Sequence, residues 1–403
     1  MPGSVPLALF WFIHLAALAF FFPYYSLYLR ENAGLSGPQM GLVLATLSLT
    51  GIAAQPFWGY VADRTGARRG LLVLIAIGMG IGFCGLATAR GFLWIELATL
   101  QLAFFSSAIG SMTVAMNLAA LGPAGPRAFG RVRMWGSVGW LAAILAFPPL
   151  MAWIQRRRGL PPPRDGFTMP GFESIMLLTA ALLGVAALVA LAHPRGGQVA
   201  LRARPGEWRV LLRRGPVLRL CLFTFLDYFF LDASMRLLPN YVVEHGGDTR
   251  TIRDLWILML LVEIPLIWWS GAGLRRLGAR GLLMLGVIAG GARWLVCGTT
   301  TEPWILYAVQ LVHGLEVVGT LLGGPLYMEQ IVPPQLRSSA QGLYATFGMV
   351  LGGSSSNAFF GWLTDHAGID APYWIGGAGG ILLGLLAPLL LPNPRRGYNH
   401  RDE

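Results

Sequence analysis

The chain of 403 residues contains no lysine. All 30 of its basic residues are arginine, and a guanidinium stays protonated in proteins, so none of them can take up and release a proton. Any proton carrier must therefore be a carboxylate or one of the histidines. Charge of either sign is scarce, at 12% of residues against about 25% in soluble domains. Together with a mean hydropathy of +0.59, this excludes a chain kept in solution by a charged surface. Cysteine is scarce too. Cys84, Cys221 and Cys297 each lie in an apolar run without metal-ligand spacing, which reads as buried free thiols. No nucleotide-binding loop, metal cluster or nucleophile elbow is present, so neither a cofactor nor covalent catalysis is expected. The net charge of +11 would suggest nucleic acid in a soluble protein. Here the arginines cluster in short loops, as a membrane topology requires, and no nucleic-acid partner is expected.

What the sequence does have is long apolar runs, several passing the roughly 18–20 residues that cross a bilayer. Backbone groups in lipid must be satisfied within their own segment, so these runs predict helices and an all-α membrane protein. Twelve transmembrane helices are expected, near 6–29, 37–61, 71–89, 92–121, 134–154, 172–192, 217–243, 253–274, 281–299, 303–330, 338–363 and 371–391. The first run is too long for a signal-peptide core and lacks a basic stretch ahead of it, so it reads as a retained helix. Assigning loops to alternating sides puts 19 arginines on one side and 8 on the other. The excess places both termini in the cytoplasm, with the plasma membrane of a bacterium as the expected location. Arg156, Arg157 and Arg158 run against that rule.

The polar, arginine-rich stretch 193–215 separates the spans six and six, giving an N-terminal half 1–192, a cytoplasmic linker and a C-terminal half 216–403. An internal repeat supports the division. After the second span the chain reads GYVADRTGARRGLL from Gly59, and after the eighth it reads GAGLRRLGARGLL from Gly271.

The stretch from Arg293 to Glu316 concentrates ionisable groups inside apolar runs. Two runs meet at a polar connection, Thr299 to Glu302. At about 1.5 Å per residue, Arg293 lies roughly 10 Å from it and His313 and Glu316 roughly 15–20 Å. Antiparallel helices joined there could bring the three to similar depth, and His313 and Glu316 share a face. Groups so placed mark substrate or proton pathways unless they are paired for structure alone. Glu263 has no charged neighbour within ten residues on its C-terminal side, so it should face a wet cavity or meet a distant arginine. Asp232 and Arg236 are four apart and should pair, with Asp227 left as a gate or solvent-facing group. His14 and Asn357, also inside apolar runs, read as packing residues.

The segment QPFWGYVADRTGARR, Gln55 to Arg69, resembles the loop 2–3 motif of the major facilitator superfamily. The resemblance implies two six-helix halves and a cytoplasmic latch built from Gly59, Asp63, Arg64, Gly66, Arg68 and Arg69. FGRVRMWGSVGW, Phe129 to Trp140, resembles the lactose permease branch, the oligosaccharide:proton symporters. There the family's sugar-binding arginine falls on Arg133 and its sugar-stacking tryptophan on Trp140. The family's ninth-helix arginine falls on Arg293, its His-x-x-Glu on His313 and Glu316, and its eighth-helix glutamate on Glu263. Its fourth-helix carboxylate has no counterpart in SMTVAMNLAAL, Ser111 to Leu121, where Asn117 is the nearest polar residue. That puts galactoside specificity in doubt.

The expected function is a proton-coupled importer of a small polar, sugar-like solute, working as a monomer by alternating access in the lipid bilayer. Burial favours the protonated form of Glu316, and a nearby guanidinium favours the ionised form, so moving Arg293 relative to Glu316 would switch its proton affinity. His313 would link proton to solute, and Glu263, Arg133, Trp140 and Asn117 would bind the solute. Alternatives are a proton-driven exporter of amphipathic compounds, a permease for nucleosides or aromatic acids, and a receptor or scaffold that has kept the fold.

Overall fold

The computed structural model describes residues 4–121, 125–160, 169–193, 207–300, 302–333 and 336–392. Among them the regular structure is helical, with no strand. Among the described residues, nine helical stretches are long and apolar enough to cross a membrane: Val5–Asn32, Gly37–Ala62, Arg68–Thr88, Phe92–Val114, Val132–Arg158, Phe172–Leu191, Gly273–Thr299, Pro303–Ile331 and Ala371–Leu390. The predicted seventh, eighth and eleventh spans also fall on helix. These are Gly215–Glu244, the part of Thr249–Thr299 ahead of a break at Gly278, and the run from Arg337–Ala345 to Gly353–Ala367. They carry more polar groups, among them Asp227, Asp232, Arg236 and Glu263, and are correspondingly less apolar.

Several helices are locally irregular, each with an identifiable cause. Pro23 sits in a tight turn inside the first span, which then ends in the π-helical stretch Tyr28–Asn32. Gly66 and Gly278 adopt left-handed φ values of 63° and 70°, which glycine tolerates without the steric penalty of a Cβ. The first ends the Gly51–Thr65 helix and the second separates the eighth and ninth spans.

The chain packs as two compact units, Met1–Ala200 with Pro239–Asp254, and Leu201–Leu238 with Leu255–Glu403. Of the 193–215 linker, residues 194–206 lie outside the described residues, and Glu207–Leu212 is a short helix.

In the first unit, aromatic rings knit the helices together. Tyr24 stacks on Phe147 with centroids 3.7 Å apart, and Phe21 meets Phe83 edge-on at 4.7 Å. Two of the arginines that break the positive-inside pattern are held locally. Arg158 pairs with Glu173 at 2.7 Å, and Arg157 lies over Trp153.

In the second unit, glycine sets the helix separations. A Cβ at Gly286 would lie 2.6 Å from the Gly319 Cα, and one at Gly291 would lie 2.8 Å from the Gly377 carbonyl. Only glycine allows backbones this close. The ninth span is thereby clamped between Pro303–Ile331 and Ala371–Leu390, which draws Arg293 into the interior.

Both units have the polarity of a membrane protein. Leu93, Trp94 and Leu188 in the first, and Trp269, Trp304 and Leu389 in the second, point outward, while Asn117, His14, Asp227, Arg293 and Gln310 are buried. Lipid accepts the apolar exterior, and Trp94 and Trp304, at the starts of their helices, suit a membrane–water interface. The chain is a multi-pass membrane protein. Cys221 and Cys297 are buried as expected, but Cys84 is exposed, because it lies on the outward face of its helix.

Candidate functional site

The expected cluster forms within the second unit. Arg293 is fully buried on the Gly273–Thr299 span, and the polar connection lets Pro303–Ile331 return beside it at matching depth. Its Nε donates to Gln310 Oε1 at 2.9 Å. Its Nη1 lies 2.9 Å from both Glu316 Oε2 and His313 Nδ1. Among the described residues its Nη2 meets the thioethers of Met235 and Met259, at 3.5 and 3.4 Å, and its charged carbon lies 3.8 Å from the Trp294 ring centroid. Sulfur is a weak acceptor, so the carboxylate countering this guanidinium is Glu316.

Arginine has no acceptor atom, so the contact with His313 fixes that ring: Nδ1 accepts from Arg293 and the ring proton resides on Nε2. Nε2 faces Glu263 Oε2 at 3.5 Å. Glu263, expected to face a wet cavity or meet a distant arginine, is partly exposed and has His313 as its neighbour. The result is a continuous line, Glu263–His313–Arg293–Glu316, in which His313 touches both a half-buried acid and the guanidinium. His313 Nδ1 also stands 3.7 Å from Glu316 Oε2, close enough to turn to that acid if the guanidinium withdraws.

The helix carrying His313 and Glu316 is broken on both sides. Regular helix ends at Gln310, resumes over His313–Val317, and passes into π-helix over Val318–Gly323. Such bulges accompany functional sites often enough to be informative. Two glycines make room at this point. A Cβ at Gly290 would lie 2.9 Å from the Glu316 carboxyl carbon, and one at Gly314 would lie 2.9 Å from the Glu263 Cα.

Gln310 is the residue that sequence reasoning missed. The signal was available: Gln310, His313 and Glu316 follow at intervals of three and share a face. An uncharged amide does not stand out in an apolar run as a charge does.

Asp232 accepts from Arg236 Nε at 2.7 Å, as the spacing predicted, and also from Asn357 Nδ2 at 2.8 Å. Of the two alternatives for Asp227, a gate or a solvent-facing group, the second does not hold: the residue is buried at 2% exposure, because its face of the helix turns toward the unit's interior.

In the first unit, Arg133 lies one residue inside the Val132–Arg158 span and places its guanidinium carbon 4.7 Å from the Trp11 ring centroid. Asn117 is buried, and neither amide atom has a hydrogen-bond partner among the described residues. Trp140 is half-buried seven residues beyond Arg133 on the same helix. Of the latch residues, Arg64 donates to the Tyr60 hydroxyl at 2.7 Å, and Arg69 donates to the Leu191 carbonyl at 3.1 Å, at the end of the sixth span. Gly59 is exposed in its helix, Gly66 ends it, and Arg68 opens the next. The side chain of Asp63 lies outside the described residues.

Comparison with known proteins agrees with this architecture. The maltose permease of Geobacillus stearothermophilus is 28% identical over 91% of this chain and 89% of its own length. The raffinose permease of Escherichia coli is 23% identical over 91% of this chain and 87% of its own. The crystal structure of a mutant of the nucleoside transporter NupG matches with a TM-score of 0.82 at 15% identity, covering 96% of this chain and 100% of that one. At that identity the likeness shows the fold alone. The family model described as MFS_1 like family matches residues 5–373. The chain therefore belongs to the MFS_1 like family of major facilitator transporters, in the neighbourhood of the lactose permease branch.

Proposed function

We propose that the chain is a twelve-span, proton-coupled importer of a small polar, sugar-like solute. It works by alternating access as a monomer in a bacterial plasma membrane, with both termini cytoplasmic and the proton as its coupling ion. The observation that carries this reading is the buried line Glu263–His313–Arg293–Glu316. Glu316 has two well-defined states, ionised and paired with Arg293, or protonated with Arg293 released to Gln310 and His313. Because His313 contacts both Arg293 and Glu263, a solute hydroxyl engaging Glu263 changes the ring's hydrogen bonding and thereby the hold on Arg293. Proton and solute then act on one element from opposite ends, as coupling demands.

The maltose and raffinose permeases, similar over most of the chain, support a sugar-like solute. We assign Arg133, Trp140 and Asn117 to solute contact in the first unit, and Gly59, Asp63, Arg64, Gly66, Arg68 and Arg69 to the cytoplasmic latch. A second reading, nucleoside transport, is favoured by Asn117, whose amide has no partner among the described residues and offers the donor–acceptor pair that a nucleobase edge requires. No step needs a cofactor, and none makes or breaks a covalent bond in the solute.

The test is a binding screen of disaccharides, nucleosides and aromatic acids on purified protein, followed by the pH response of cells expressing it. Solute-induced alkalinisation of the medium with accumulation is expected. Solute-driven acidification would favour the exporter, and binding with neither accumulation nor pH change would favour a receptor.

A further inference from the structure

Asp227 is buried in the Gly215–Glu244 helix, and neither of its carboxylate oxygens has a hydrogen-bond partner among the described residues. The contrast with Asp232 is internal to one helix, since that acid holds both Arg236 and Asn357. An ionised carboxylate without donor or cation in a dry interior costs several kcal/mol, and the neutral acid far less. The neutral acid is therefore the form that the surroundings of Asp227 accommodate, whereas Glu316 has the Arg293 guanidinium to balance a negative charge.

The two acids share a surface. Asp227, Leu231 and Met235 lie on one face of their helix at intervals of four. Met235 touches Arg293 Nη2. Leu231 and the Glu316 carboxyl carbon both stand 2.9 Å from the Cβ position of Gly290. Eight residues separate Asp227 from Met235, or roughly 12 Å along the axis toward the Gly215 end. Among the described residues, Glu316 from the Pro303–Ile331 span acts electrostatically on Asp227, and Asp227 in turn acts on Tyr344 from the Arg337–Ala345 helix and on Tyr228 of its own helix. The Tyr344 hydroxyl donates to the Thr320 carbonyl at 2.9 Å, one turn beyond Glu316 in the same direction. Two neighbouring acids with one guanidinium, already committed to Glu316, favour a single ionised carboxylate at a time.

We propose that Asp227 is a second proton site of the transport cycle, which receives the proton leaving Glu316 and passes it on toward the Gly215 end of its helix. The O–H bond of Glu316 breaks, an O–H bond forms on Asp227, and the Glu316 carboxylate is taken up by Arg293. The charge of the acid pair is unchanged by the transfer. This rests on the proton-coupled reading above, under which the Gly215 end faces the cytoplasm.

The test compares Asp227→Asn, which keeps the shape of the protonated acid, with Asp227→Glu in full-length protein in vesicles. Labelled maltose is the probe, with uridine in parallel. Asp227→Asn should bind and exchange solute as wild type does, yet lose accumulation by about tenfold or more, equivalent to about 1.4 kcal/mol of solute gradient. Asp227→Glu should restore it. The infrared carbonyl stretch of a protonated carboxylic acid should be present in wild type and diminished in Asp227→Asn. Undiminished accumulation in Asp227→Asn, an unchanged infrared band, or loss of binding together with accumulation would each overturn the proposal. If wild type accumulates neither probe and moves no proton, the importer reading falls and the second site with it. A defect confined to the variants leaves that reading standing.

Discussion

A methyl group added at Gly290 probes the coupling element without removing any of its charges. The Cβ would lie 2.9 Å from the Glu316 carboxyl carbon, 3.0 Å from its Cγ and 2.9 Å from Leu231 Cδ1. Ordinary contact begins near 3.4 Å, so the Glu316 side chain must retreat by about half an ångström. All the crowded atoms belong to flexible side chains, so the fold should absorb the change at the low end of the usual 1–3 kcal/mol for overpacking. The functional cost should be larger, because Glu316 Oε2 is held 2.9 Å from Arg293 Nη1. Displacing it weakens a charge-assisted hydrogen bond worth about 1.5–3 kcal/mol, which is roughly 10- to 150-fold in an equilibrium. Gly342→Ala is the control, since nothing lies within 4 Å of its added carbon. Proton-driven uptake in vesicles and the melting temperature in detergent should be measured on both variants. Gly290→Ala should lose uptake at least tenfold more than the control while melting within a few degrees of it. Equal uptake in the two variants would refute the claim that Glu316 must sit in register with Arg293.

Three further substitutions separate coupling from scaffolding. Gly314→Ala places a Cβ against the Glu263 backbone, 2.9 Å from its Cα and 3.0 Å from its nitrogen, which cannot yield as a side chain does. It should lose stability in the upper part of about 1–3 kcal/mol, read as a melting temperature below that of Gly290→Ala. Gln310→Ala removes the acceptor for Arg293 Nε, and a loss of about 1.5–3 kcal/mol should appear as both lower stability and weaker uphill transport. Asp232→Asn leaves Arg236 without its carboxylate, so thermal stability should drop while solute-linked proton movement persists. Loss of proton movement with unchanged stability would make Asp232 part of the proton path.

The fold was legible because lipid imposes a simple demand: apolar runs of sufficient length must be helices. The charge line was legible for the same reason, since Arg293, His313 and Glu316 stand out in apolar sequence and turn spacing puts the last two on one face. Intrahelical spacing also found the Asp232–Arg236 pair. It could not find Asn357 bonded to Asp232, Trp11 beneath Arg133, or Met235 and Met259 around Arg293. Those contacts depend on how helices are rotated against one another, which is set by tertiary packing at positions such as Gly286–Gly319 and Gly291–Gly377. The same rotation turns Asp227 inward, against its solvent-facing alternative, and Cys84 outward, opposite to its sequence reading. The break at Leu311 and Val312 and the π-helical turn after Glu316 also left no periodic trace.

Glu316→Gln tests the central claim most directly, because it fixes the group in a neutral, uncharged form. Exchange of labelled solute across the vesicle membrane and uphill accumulation driven by a proton gradient should be measured on the same preparation. Exchange should persist and accumulation should be abolished. A variant that still concentrates solute against its gradient would contradict the claim, and Glu316 would not be the obligatory proton carrier.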